Sequence, residues 1–463
     1  MQRLRWGALA VTVMLVLAAC GGGDDDDGGS GLGDDDSETT QPDTTEPEGD
    51  GENAACEGAT LEAADTGVTA DTITITVASD VGSQLRPALF QGSMDAINGW
   101  AEYINANGGL ACREVVVEEF DTLLSPDEAK NSQIAACDSS LAMVGTTALF
   151  MNDMSEAEGC GIPDFAVLQT EPAQQCSPVS FATIPATGEC PYAGTGERTY
   201  HERLGSIDYY LENFDDLHGV WVIPADLPAT ISASMPGFRA TQELGIPLDA
   251  EFGLSGLATQ ADYTQVAQAI KDNGSTYARN GLDYAGTVLM RKEAQAQGVD
   301  SVEVWDCSVQ CYDDRLISEG GDAVEEQYVW IQFLPLEDGP DSNETMADFF
   351  EYVEDPDGFG AQAWAGAEFF KAVLDKIVEE DGPNAITRAK ILETIPTMGE
   401  FDAGGFIPPT DIGKKTSNGC FVLMQVQNGE FVRVLPEEPG TFQCGSDNAS
   451  FEITIDAAAA FQG

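Results

Sequence analysis

Eleven cysteines, two histidines and eighty carboxylates are the groups in this chain with the reach for chemistry. Zinc has no donor set here, because no Cys-x-x-Cys pair occurs and only His201 and His218 offer ring nitrogens. Nucleophilic catalysis has no signature either. The chain lacks Gly-x-Ser-x-Gly, a Walker loop, His-Glu-x-x-His and a complete Gly-x-Gly-x-x-Gly. Gly194-Thr195-Gly196 stands alone and reads as a loop. His201 lies beside Tyr200, Glu202 and Arg203 on a predicted helix, which reads as a solvated face. His218 follows Leu217 at the start of a predicted strand, an ordinary position. A carboxylate pair for glycoside hydrolysis is not singled out by spacing when acidic residues lie everywhere. The reading is therefore a non-enzyme without cofactor or metal, with a secreted hydrolase as the distant alternative.

The cysteines read as structural. Setting Cys20 aside leaves ten, and an even number in an exported chain suggests disulfides. Cys112 precedes a predicted strand and Cys137 ends the next helix, so the two are expected at one end of a unit and able to pair. Cys420 and Cys444 flank a hairpin, and Cys307 and Cys311 are four apart. Cys176 and Cys190 form a further candidate pair, and Cys56 has no obvious partner.

A net charge of −60 over 463 residues excludes a nucleic-acid surface, which needs a basic footprint. It also excludes adsorption to an anionic membrane except through a lipid. Residues 1–20 begin with Arg3 and Arg5, continue with an apolar run to Leu17 and end in Leu17-Ala18-Ala19-Cys20. That is the form of a secretory signal, too short in its core to span a bilayer comfortably. The last four residues resemble a bacterial lipobox, which would make Cys20 a lipidated first residue. Residues 21–65 are acidic and nearly free of apolar side chains, so they read as a disordered linker. The Asp24–Asp27 and Asp34–Asp36 runs do not have the spacing of a calcium loop.

The elements that position any site follow. Ile73–Ala78 alternates as a strand, and Gly92–Asn107 places Met94, Ile97, Trp100, Ala101 and Ile104 near helical spacing. Asn107-Gly108-Gly109 stops that helix. A strand over Arg113–Phe120, a helix opened by Ser125-Pro126 and a strand over Leu141–Val144 complete a strand–helix–strand–helix–strand unit. Such units place ligands beyond the carboxyl ends of their strands. A second alternating series is expected from Gly219 to Trp305, preceded by a helix over Tyr192–Asn213. Three helices follow between Thr345 and Ile395, then an Asn428-Gly429 hairpin and an edge strand over Phe451–Ile455.

Trp-x-x-Tyr-Ile-Asn-x-Asn-Gly-Gly over Trp100–Gly109, followed by a strand and Asp-x-x-x-Ser-Pro-x-x-Ala over Asp121–Ala129, carries a family resemblance. It resembles the leucine/isoleucine/valine-type, or type I, periplasmic solute-binding proteins of ABC transporters, over about Asp71–Val434. The resemblance implies an α/β fold of two doubly wound parallel-sheet lobes joined by three hinge crossings. Residues 71–188 and 338–398 would form lobe 1, and 189–337 with 399–456 lobe 2. A small solute, an amino acid or a related carboxylate or apolar compound, would be captured in the cleft. ABC permease subunits would be the partners, outside the cytoplasm, with membrane contact through the N-terminal lipid only. A ligand-sensing receptor of the same fold is the alternative.

The resemblance also implies site residues. The loops Gly145–Met151 and Gln169–Pro172 would offer N–H groups, hydroxyls and helix N-termini to an anionic head. Thr170 matches a hydroxyl position, with Gln169 beside it; a helix cap is its other role. Ala148, Leu149 and Phe150 stand where the family usually offers serines, which hints at a more apolar solute. Tyr284 matches a cleft aromatic, or equally packs in the core. Asp306 and Asp226 follow strands at the cleft and read either as partners for an ammonium group or as helix caps. Arg86 lies in the first cleft loop, as a carboxylate ligand or a surface ion pair. Phe359 and Trp364 are candidates for the rim, with a core role the favoured reading for Trp364.

Overall fold

The computed structural model describes residues 56, 58–83, 87–192, 195–225, 228–416, 418–445 and 450–461. Cys20, the signal segment, Arg86 and Asp226 lie outside them.

The first sheet grows from the predicted unit. Its elements are β1 (Thr72–Ser79), α1 (Gln91–Ala106), β2 (Glu114–Asp121), α2 (Pro126–Ser139), β3 (Ala142–Thr146), α3 (Ser155–Cys160), β4 (Asp164–Ala166), α4 (Pro172–Cys176) and β5 (Ser180–Ala182). All pairs are parallel, in the order β2-β1-β3-β4-β5. β1 is central, so even Thr76 is buried, its hydroxyl 2.7 Å from that of Ser140. The apolar stripe of α1 is buried as its spacing predicts. Gly109 takes φ +84°, and a Cβ there would sit 2.3 Å from the Arg113 carbonyl. Ser125 caps α2 and Pro126 occupies its first turn.

A crossing leads to β6 (Arg198–Glu202) and α5 (Gly205–Asn213). The helix expected over Tyr192–Asn213 is thus a strand followed by a shorter helix. Arg198, Tyr200 and Glu202 point inward and alternate with Thr199 and His201, and the partner strand lies far along the chain. The second sheet follows: β7 (Gly219–Pro224), α6 (Pro228–Leu244), β8 (Leu248–Leu254), α7 (Thr264–Asn273), β9 (Tyr277–Asn280), α8 (Tyr284–Gln297), β10 (Val304–Cys307), α9 (Asp314–Gly320) and β11 (Gln327–Ile331). After the second crossing, α10 (Glu344–Tyr352), α11 (Gly358–Asp381) and α12 (Arg388–Thr394) return to the first sheet. There Trp100 and Phe165 meet Phe370 at 6.3 and 5.2 Å between ring centres. Gly145 lets α1 approach β3, since a Cβ would lie 2.5 Å from Ile97.

The third crossing runs back to β12 (Val422–Gln427) and β13 (Glu430–Leu435), which pair antiparallel at the edge. The order is β13-β12-β11-β10-β9-β7-β8. β14 (Phe451–Ile455) pairs with β6, and a last short helix, α13 (Ala457–Ala460), closes the described chain. The architecture is the two-lobed, doubly wound α/β arrangement with three crossings. All six residues of β7 are buried, and alternate side chains enter different cores, as expected of a strand covered on both faces.

Five disulfides use all ten cysteines after Cys20: 56–112, 137–160, 176–190, 307–311 and 420–444. The expected Cys112–Cys137 pair is not formed. Cys137 lies on the face of α2 that packs on α3, whereas Cys112 precedes the edge strand β2, where Cys56 reaches it. The end of the stretch read as linker is accordingly held to the fold. The buried Arg113 donates to the carbonyls of Glu62, Thr69 and Pro383 and to the Asn384 side chain.

Candidate functional site

Loops from the carboxyl ends of both sheets converge on a cavity of about 540 Å³, within the size range of small-molecule sites. The first sheet contributes Leu89, Phe90, Leu124, Leu149, Phe150, Leu168, Gln169 and Thr170. β6 and the residue after it contribute Tyr200, Glu202 and Arg203, and the second sheet and its loops contribute Phe238, Leu257, Arg279, Leu282, Tyr284 and Trp330. Ala186 and Thr187 come from the first crossing. Phe359, at the start of α11, stacks edge-on against Phe90 at 4.7 Å and also borders the space.

Leu149, Phe150, Gln169, Thr170 and Tyr284 are thereby brought together. Ala148 is not: it is buried in the core between β3 and α2. Trp364 is likewise core, packed on Phe349 and Tyr103. Asp306 does not line the cavity. It sits inside β10 rather than after it, buried, with Oδ1 accepting from the Tyr210 hydroxyl (3.0 Å) and Oδ2 from that of Tyr277 (2.6 Å). Its Oδ2 is 3.5 Å from Nε of Arg279, so it holds an arginine that does reach the cavity. Burial pushes the Asp306 carboxyl up, opposed by Arg279 and the two hydroxyls.

The first-sheet loops spend their polar groups on each other. Thr170 donates its hydroxyl to the Leu149 carbonyl (2.8 Å), and the Gln169 amide donates to Ser180 (2.9 Å). The Leu149 N–H is taken by Asp80 (2.8 Å). Asp80 also accepts from the Thr122 hydroxyl (2.5 Å) and the Leu124 N–H (2.8 Å). Burial raises its carboxyl, and the Leu149 and Thr122 hydrogen bonds oppose that rise. The helices behind these loops have six and five residues, α3 starting only at Ser155, so the expected helix dipole is weak. Thr170 is not a helix cap either, since Glu171 holds that position.

The second-sheet wall is richer. Arg315 lies over the Tyr284 ring at 4.5 Å and pairs with Asp313 (2.6 Å). Asp283 caps α8 through the Gly286 N–H (3.1 Å). Glu202 accepts from Thr187 (2.5 Å), and Arg203 donates to the Pro185 carbonyl (2.9 Å) and to Gln332 (2.8 Å), so β6 grips the first crossing. Burial raises the Glu202 carboxyl and lowers Arg203 to about 10. Arg279 lies over the Phe238 ring at 4.8 Å.

Glu202, Arg203 and Arg279 were not anticipated. A charged residue inside the apolar strand Tyr277–Asn280 is the signal that points to Arg279; Glu202 and Arg203 were hidden by the helix reading. Both histidines are elsewhere, His201 beside Glu189 (3.0 Å) and His218 beside Asp249 (2.6 Å). Among the described residues no group of three or more His, Cys, Asp or Glu is placed to hold a metal ion, and no helix is long and apolar enough to cross a membrane. The arrangement is suited to enclosing a small, mostly apolar molecule.

The model of a family described as periplasmic binding protein matches residues 72–430. No curated protein sequence matches the chain. Among solved structures, an ABC transporter substrate-binding protein of Aeropyrum pernix is similar with a TM-score of 0.66 and 15% identity, over 84% of this chain and 98% of that one. A fatty acid ABC transporter substrate-binding protein from Thermomonospora curvata gives 0.65 and 15%, over 80% and 93%. A leucine-binding protein from Thermotoga maritima gives 0.61 and 18%, over 79% and 97%. At such identities the likeness is one of fold.

Proposed function

The chain belongs to the periplasmic binding protein family, and on that premise we propose that it captures a small solute between its two lobes and delivers it to an ABC importer. The observation that carries this reading is the cavity of about 540 Å³ walled by both sheets and the first crossing. Residues 71–188 and 338–398 act as one lobe and 189–337 with 399–456 as the other, closing by hinge motion. Leu149, Phe150, Gln169, Thr170 and Tyr284 contact the solute, and Asp306 acts through Arg279. Cys20 carries the lipid that keeps the protein outside the cytoplasm at the membrane, next to the permease. The similarity to substrate-binding proteins of ABC transporters supports the importer role.

A thermal-melting screen of amino acids, alkyl and aryl carboxylates, amides and alcohols tests the capture step. A solute at about a hundred times its dissociation constant stabilises the fold by roughly 2.7 kcal/mol. For a chain of this length the midpoint then rises by a few degrees. The same solute should shrink the radius of gyration in solution scattering. Stabilisation without compaction would contradict closure, and no stabilising solute in the set would contradict capture of these classes.

A further inference from the structure

Each arginine at the cavity already has a carboxylate beside it. Among the described lining residues there are three arginines, 203, 279 and 315, and three carboxylates, Glu202, Asp283 and Asp313. Arg315 is paired with Asp313 at 2.6 Å. Arg279 faces Asp306 from behind at 3.5 Å. Glu202 and Arg203 are neighbours in the chain, and both are engaged with the first crossing. An anionic solute would find every arginine already matched and would bury an uncompensated charge, at a desolvation cost that no partner repays. An anion would in addition enter a molecule that carries −60.

The devices that hold an amino-acid head are also spent. The Thr170 hydroxyl donates to Leu149, and the Leu149 N–H donates to Asp80. Asp306 is covered by two tyrosine hydroxyls and Arg279, so it is closed to an ammonium group. What remains is a largely apolar wall that gains from burying apolar surface, bordered by the Arg279 guanidinium and by Ser232 and Ser234.

We propose that the solute is an uncharged, largely apolar molecule whose carbonyl or hydroxyl oxygen accepts from Arg279, and neither an α-amino acid nor a free carboxylate. This deepens the solute-capture reading and rests on it.

Two fluorescent probes that differ only in charge test the class: N-phenyl-1-naphthylamine and the same molecule carrying an 8-sulfonate. Both are titrated into the full chain at about pH 8 and roughly 0.15 M salt. The neutral probe is expected to bind at least about tenfold more tightly. Ala233 is an exposed position on the cavity wall, so Ala233→Trp should block the space and abolish neutral-probe binding while the melting midpoint stays within a few degrees. In competition, 3-phenylpropanamide should displace the neutral probe better than 3-phenylpropanoate or phenylalanine. Tighter binding of the sulfonate, or better displacement by the carboxylate or the amino acid, overturns the solute class and leaves solute capture standing. Binding of neither probe, or binding insensitive to Ala233→Trp, overturns the class and the capture reading together.

Discussion

Asp80 follows β1 with its carboxylate buried, and two cleft loops hang from it, one by the Thr122 hydroxyl and the Leu124 N–H and the other by the Leu149 N–H. An amide in its place keeps the shape but loses acceptor capacity on one side. Asp80→Asn should therefore leave a buried donor unpaired and lower stability by about 1–3 kcal/mol, read from denaturant midpoints at constant slope. Thr170 makes the opposite case. Its hydroxyl already serves the Leu149 carbonyl, so Thr170→Val should cost about 1 kcal/mol of stability and change solute affinity less than about threefold. A tenfold loss of affinity at unchanged stability would return Thr170 to the role of a direct ligand.

Between elements, the contact of α1 with α11 holds a carboxyl under burial. Glu368 accepts from the Trp100 indole N–H at 2.8 Å, and burial raises it from 4.5 to about 7. Folding then takes up a proton in that window. The stabilisation is complete below about 4.5 and is lost as pH rises through about 7. Glu368→Gln keeps an acceptor for Trp100 and removes the titration. The variant should be the more stable protein above pH 7, by up to roughly 3 kcal/mol, with a flatter profile across the window. A variant whose stability follows the same pH profile as the parent would contradict this. Disulfides tie other element pairs together, α2 to α3 and α4 to the first crossing. Alkylation without reductant should therefore label no cysteine among the ten, and labelling at two or more would count against the framework.

Across the whole molecule, like-charge repulsion opposes the compact state. With 80 acidic and 20 basic side chains, the folded state concentrates repulsion that the unfolded chain relaxes. Screening shortens the reach of a charge from about 10 Å at 0.1 M salt to about 3 Å at 1 M. The melting midpoint should rise between those sodium chloride concentrations, and a flat or falling midpoint would show that repulsion does not limit stability.

The first sheet was legible in the residues because its signals are local. β1 alternates, α1 repeats its stripe, Ser125-Pro126 opens α2 and Gly109 ends a helix, each within a few positions. The Asn428-Gly429 turn fixed the β12–β13 hairpin in the same way. The lining loops were legible too, since parallel strands must end at one edge of a sheet. What stayed hidden depends on distant partners. β6 is a strand because β14, about 250 residues on, and the crossing residues Thr187 and Glu189 hydrogen-bond along it. Cys112 meets Cys56 because of where the edge strand lies. Asp306 and Arg279 are buried charges whose cost is met by groups on other elements, and no short window of sequence contains both partners. Residue order alone determined which strands would open onto a cleft; only tertiary packing decided which of the cleft's polar groups are left to meet a solute, because a hydrogen bond made inside the fold is no longer on offer.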